Sequence, residues 1–353
     1  MGRQGRVGGS PPQGPVPVLA GLMDGNGCSI GTHILSYKPS MTAKPFLPID
    51  DQVRLLKQRG LTVDDNTARI LMSEGYYSIV NGYKDPFIDM SLSSKFNEDR
   101  YRSGATFSDL YSLFTFDREL RSLTFKFLIL AEAKIKTAIA YTFSNVHRGP
   151  NDYYLQSSFC TQDEYSATGK DEARYAREIS NLTSILSRRA LKSKSEFVAH
   201  YRNEYGSVPL WVLVNDLTFG NMEHFYNLMK PGERRTFCKM IVDATGKTGS
   251  KKSGFFSEKA AQLSIETLVK FRNVCAHDER LYCARVGGRK NINYIQMVWM
   301  LKRYLTEIEF RTFVEELTAL LSRYLKTYAI KHILDQIGFV ELLQKSQDGT
   351  LFD

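Results

Sequence analysis

Proline is scarce over most of this chain. Seven of its eleven prolines fall before residue 50, and only Pro86, Pro150, Pro209 and Pro231 follow. Proline breaks a helix interior, so this scarcity predicts long, uninterrupted helices. Strand signals are as sparse. Asn81-Gly82 sits in a helix-like context, not between alternating apolar runs. No apolar run reaches the roughly 18 residues that a membrane helix needs. The N-terminus lacks the apolar stretch of a signal peptide, and Arg6 stands where a myristoylation pattern requires Ser or Thr. Cys28, Cys160, Cys238, Cys275 and Cys283 are odd in number and form no Cys-x-x-Cys, which argues against a disulfide framework or zinc ribbon and fits a reducing cytoplasm. There is no His-x-x-x-His, P-loop, Gly-x-Ser-x-Gly or Gly-x-Gly-x-x-Gly, so no metal and no cofactor is expected.

What remains is an ordinary globular composition. The 353 residues are 42% hydrophobic and 24% charged, which excludes collagen, coiled-coil rods and wholesale disorder. Lys and Arg number 47 against 38 acidic residues, a net charge of +9 that favours polyanionic partners such as RNA, DNA or an anionic membrane surface. Residues 1–40 are rich in Gly, Pro and Ser and read as a flexible or disordered extension. Met41 opens a better-behaved segment and is a plausible translation start. Residues 41–353 read as all-α. Helices are predicted over 50–59, 64–74, 106–145, 171–187, 195–205, 210–217, 221–229, 231–244, 257–285, 306–325 and 328–337, the third of them as one long helix or a kinked pair. Residues 246–254, with Lys247, Lys251 and Lys252, read as a solvated basic loop. Trp211 reads as a core anchor and Tyr76, Tyr77 and Tyr83 as packing residues, in preference to base-stacking platforms.

One segment carries chemistry: Phe271-Arg272-Asn273-Val274-Cys275-Ala276-His277-Asp278. Arg272 is the only arginine that stands five to seven residues ahead of a histidine. Its guanidinium can hold a phosphate by a two-pronged contact. His277 can move a proton near neutral pH. Together they are tools for metal-free RNA cleavage, although a single His per chain is thin for both acid and base. Asn273 and His277 share a helical face. Arg272 and His277 lie about 140° apart on an ideal helix and would not converge unless the helix ends or bends there. Spacing alone also allows a structural Arg and an unremarkable His. Arg118 and Arg121 share a face as well. They can contact an RNA backbone, or Arg121 can pair with Asp117 four residues away.

The segment resembles the signature of the HEPN superfamily, Arg-x4-6-His with a polar residue after the Arg. The chain more closely resembles the AbiD/AbiF-type abortive-infection proteins of bacteria. Several stretches carry the likeness in order: Lys44-Pro45-Phe46-Leu47, Leu55-Leu56-x-x-Arg59-Gly60-Leu61, Gly82-Tyr83, Phe116-Asp117-Arg118-Glu119-Leu120-Arg121, Pro209-Leu210-Trp211, Thr218-Phe219-Gly220, and Arg272 to Leu281. It runs from about residue 44 to the C-terminus and is loose over about 150–205. The resemblance implies a HEPN-type helical bundle with additional helices and a toxin that cleaves RNA during phage defence. It also implies a homodimer that joins two Arg–His motifs, and in some relatives restraint by a small regulatory RNA. Arg272, Asn273 and His277 would be catalytic, with Arg280 a weaker phosphate contact. Relatives commonly carry a second His where this chain has Asp278, an acid that could repel the RNA backbone. The rival reading is a HEPN module that binds RNA or an antitoxin without cleaving.

Overall fold

A computed structural model describes residues 46–247, 256–326 and 328–349. Residues 1–40, Met41, Lys44, Pro45, Lys251 and Lys252 therefore lie outside the described residues. Among those described, the chain is all-α as expected, with three isolated bridges and no strand. None of the helices is long and apolar enough to cross a membrane.

Four helices precede the first long connection: α1 (Ile49–Gln58), α2 (Thr67–Glu74), α3 (Met90–Phe96) and α4 (Phe107–Val146). A π-helical turn, Tyr77–Asn81, follows α2. The 40-residue α4 is one continuous helix, started by the Thr106 hydroxyl, which accepts from the backbone N–H of Asp109. At 1.5 Å per residue it spans about 60 Å. It lacks proline, and its apolar residues cover several faces, from Phe107 and Phe116 to Ile135 and Phe143. A helix that is apolar on several sides needs neighbours on several sides. These are α9 (Phe219–Leu228), α10 (Pro231–Ala244), α11 (Glu258–Ala276) and α13 (Glu307–Leu325). Between α4 and α9 come α5 (Gln162–Ser166), α6 (Tyr175–Lys192), α7 (Glu196–Tyr205) and the single turn α8 (Leu210–Leu213). α12 (Tyr294–Leu301), α14 (Tyr328–Gln336) and α15 (Phe339–Gln347) complete the set.

Three sequence expectations are corrected. The helix expected over 257–285 stops at Ala276, because the chain turns left-handed at Asp278. The one expected over 210–217 is a turn of α-helix followed by a 3-10 turn. The helix expected from 171 begins at Tyr175, after a 3-10 turn capped by the Asp171 carboxylate. α3, α5, α12 and α15 were not anticipated. They are nine residues or fewer, too short for a sustained periodic stripe, and α12 is apolar nearly throughout. Lys247 is not a solvated linker residue. Its Nζ donates to the carbonyls of Lys302 and, at 3.0 Å, Leu305, and burial lowers its pKa to about 8.

Two packing details are testable. Gly338, at φ 86°, begins α15, and a Cβ there would meet Ile295 Cδ1 at 2.8 Å. Gly338→Ala is expected to cost at least about 1–2 kcal/mol from the left-handed backbone alone, measured by urea unfolding; an unchanged midpoint would contradict this packing. On α9, His224 Nδ1 lies 3.0 Å from Glu178 Oε2 of α6, and this contact holds the imidazole pKa above its ordinary value. The folded state thus binds that proton more tightly than the unfolded chain. The link is fully present below about pH 6.5 and fades as pH rises through the folded value. The ring is half exposed, so the effect is small. The Tm difference between wild type and His224→Gln should shrink from about pH 6 to about pH 8. A difference independent of pH would count against the pairing.

Candidate active site

The end of α11 explains how the motif is presented. His277 is the C-cap, with its N–H donating to Asn273 O at 2.9 Å. Asp278 follows at φ 58°, and the N–H of Glu279 returns to Val274 O at 3.1 Å. This is the six-to-one closure of a Schellman ending, with Asp in the place glycine usually takes. A left-handed Asp needs support, and Arg121 provides it by donating to the Asp278 carboxylate. The ring of His277 is left exposed where the helix stops.

Behind this turn lies a buried polar cluster. Asp117, fully buried on α4, receives four donors: Tyr83 Oη at 2.7 Å, Arg121 Nη1 at 2.8 Å, and the backbone N–H groups of Leu281 at 3.0 Å and Tyr282 at 2.6 Å. Burial pushes its pKa up, whereas Arg121, Tyr83 and the two N–H groups oppose that. Arg121 also donates to Tyr83 Oη at 3.0 Å and to Glu279 O at 3.3 Å. Arg280 donates to Gly82 O at 2.9 Å and to Asp85 Oδ2 at 3.1 Å. Three separated stretches of sequence thus meet around the loop after the motif: Gly82-Tyr83, Phe116 to Arg121, and Arg280-Leu281.

Each expected site residue has a definite place. Arg272 lies on the wall of a groove of about 880 Å³ along α4. Its Nε stands 3.4 Å from Glu132 Oε2 but makes no hydrogen bond, and its guanidinium lies over the Phe219 ring. His277 is not among the residues that line that groove. Asn273, half-buried, sits between them. Arg118 pairs with Glu74 at 2.8 Å and lies over the Phe114 ring. Arg121 is 3% exposed, so its donors face protein acceptors and not a ligand arriving from solvent. Arg280 is likewise committed to Gly82 and Asp85. Cys275 within the motif is no nucleophile, because burial pushes its thiol up to about 12. Among the described residues, no group of three or more His, Cys, Asp or Glu side chains could hold a metal ion.

The largest departures from the sequence reading are aromatic. Trp211 is 59% exposed and rims the groove, so it is no core anchor. Tyr77 is 80% exposed, whereas Tyr83 packs as expected. Glu132 and Lys136 on the groove wall were missed. Their signal was a second stripe on α4, Ile129, Ala133, Thr137 and Ala140, offset from the buried Phe127, Ile135 and Ile139.

A family model described as Abi-like protein matches residues 69–283. The chain belongs to the Abi-like family. That membership ties it to abortive infection, a defence against phage. The match takes in Tyr83, the Asp117–Arg121 cluster, Arg272, His277 and Arg280, and stops ahead of α12 to α15. No curated protein and no solved structure matches this Abi-like chain.

Proposed function

We propose that this Abi-like protein is a cytoplasmic, metal-independent endoribonuclease of the HEPN type that acts as an abortive-infection toxin. The observation that carries this reading is the end of α11. An Arg on a groove wall stands five residues ahead of an exposed His at the helix terminus, and a buried polar cluster anchors the turn that follows. Arg272 would bind the scissile phosphate, its guanidinium exchanging a loose contact with Glu132 for a charge-assisted one. Asn273 would position the phosphate or His277. His277 would take the proton of the ribose 2′-OH, or give one to the leaving 5′-oxygen. The O2′–P bond forms as the P–O5′ bond breaks, leaving a 2′,3′-cyclic phosphate and a 5′-OH.

Because His277 does not line the groove that holds Arg272, a second copy of the chain would supply the missing half, and the active form would be a homodimer. Restraint by a small regulatory RNA fits the same basic protein. The separation of His277 from the Arg272 groove equally favours a module that binds RNA or an antitoxin without cleaving it.

Incubating purified protein with RNA in EDTA separates the two readings. Cleavage that persists and leaves 2′,3′-cyclic ends supports the nuclease. Binding without cleavage under any condition supports the module, and cleavage that EDTA abolishes overturns the metal-independent mechanism.

A further inference from the structure

The groove along α4 has features that the end of α11 does not use. It runs from Arg272 and Glu132 to Arg148, and shares Ser144, Arg148 and Trp211 with a second cavity of about 340 Å³. Glu132 and Asn145 are thirteen residues apart on α4, about 20 Å along its axis, and Arg148 stands just past the helix end. An elongated cleft of this kind suits a polymer better than a compact metabolite. Its floor is small, with Ala133, Thr137, Ala140 and Ser144. Its rim carries two large aromatics in solvent, Trp211 at 59% exposure and Tyr141 at 62%. Three cations line it, Lys136, Arg148 and Arg272, against the one carboxylate of Glu132. That carboxylate already faces two of them, Lys136 at 2.9 Å and Arg272 at 3.4 Å.

We propose that this groove binds single-stranded RNA, with Trp211 and Tyr141 stacking on bases and Arg148 and Arg272 meeting the phosphates, while Lys136 is held by Glu132 and by the carbonyl of Leu217 at 2.8 Å. The identity of the polymer rests on the ribonuclease reading above. Exposed aromatics beside backbone cations are the pattern by which proteins hold unpaired strands, since every base offers a ring face. A protein helix seated here would bring no such need for cations at both ends. In a duplex the bases are stacked on each other and closed to Trp211. A strand lying in the groove passes Arg272, so the groove would feed RNA to the motif arginine.

The test is binding of a 5′-labelled 2′-O-methyl oligouridylate, which lacks the attacking hydroxyl, followed by fluorescence anisotropy on the full chain. Trp211→Ala and Tyr141→Ala are each expected to weaken binding by on the order of ten-fold. Trp211→Phe should retain most of the affinity, and a paired duplex of the same length should bind more weakly. The two phosphate-facing arginines predict a slope of log K against log salt of about −1.4, reduced by about 0.7 in Arg148→Ala. Both aromatic variants are on the surface, and circular dichroism would verify their folds. Wild-type affinity in both alanine variants, or duplex bound as tightly as single strand, overturns the proposal. So does a wild-type protein that fails to bind, or a Trp211→Ala that instead dissociates a dimer with RNA affinity unchanged. If the oligonucleotide binds through Trp211 and natural RNA is nonetheless never cut, the groove stands and the nuclease reading falls.

Discussion

Alanine at Asp117 is expected to destabilise the protein by about 3–5 kcal/mol, the usual result of stripping one partner from a buried ion pair. The substitution leaves Arg121, 3% exposed, without its buried carboxylate and with only the exposed Asp278 to pair with, and it orphans the N–H groups of Leu281 and Tyr282. Against a total stability of about 5–15 kcal/mol, that is a large fraction. Urea unfolding would measure it. The double variant Asp117→Leu with Arg121→Met should lose less than the sum of the single losses, since both charges leave together. A single-variant loss below about 1 kcal/mol would mean the cluster is better hydrated than its burial implies.

The second large effect concerns chemistry. His277→Ala is expected to lower RNA cleavage by about 10²- to 10⁴-fold, the range for one proton-transfer group. The ring stands in solvent at a helix end, so thermal stability should hardly change. Arg272→Ala should also abolish cleavage. Arg272→Lys should restore little, because an ammonium lacks the two-pronged phosphate contact. Mixing the two inactive variants offers a sharper readout. If two copies complete one centre, Arg272→Ala and His277→Ala chains together could form mixed dimers with one intact pairing and recover activity. No recovery, with dimers verified by sedimentation, would place both roles within a single chain.

How far could the residues alone go? They yielded the helical class, because four prolines in the last 300 residues leave little else. They also yielded α4, whose apolar spacing is long enough to be unambiguous, and the Asp117–Arg121 pair, a local four-residue spacing. They did not yield the end of α11. The sequence continues helix-like past His277, and what stops it is a left-handed Asp278 stabilised by Arg121, 157 positions earlier. No local pattern encodes that. Trp211 went astray for a related reason. An aromatic after Pro209-Leu210 has the composition of a core anchor, and only tertiary placement turns its ring outward. Arg118, Arg121 and Arg280 looked like phosphate contacts because charge is legible in sequence and its partner is not. Each has a carboxylate within reach, on Glu74, Asp117 or Asp85.

The contacts between Asp117 and residues 281–282 bear on how the molecule is made. They link positions 164 and 165 apart in sequence, and loop closure over that distance delays their formation. A nascent chain can finish α4 and even α11, yet the turn carrying His277 lacks its buried Asp117 anchor until Tyr282 has emerged and docked. Synthesis from the N-terminus thus imposes an order on assembly. An incomplete polypeptide lacks a fixed terminus for α11 until most of the message has been read.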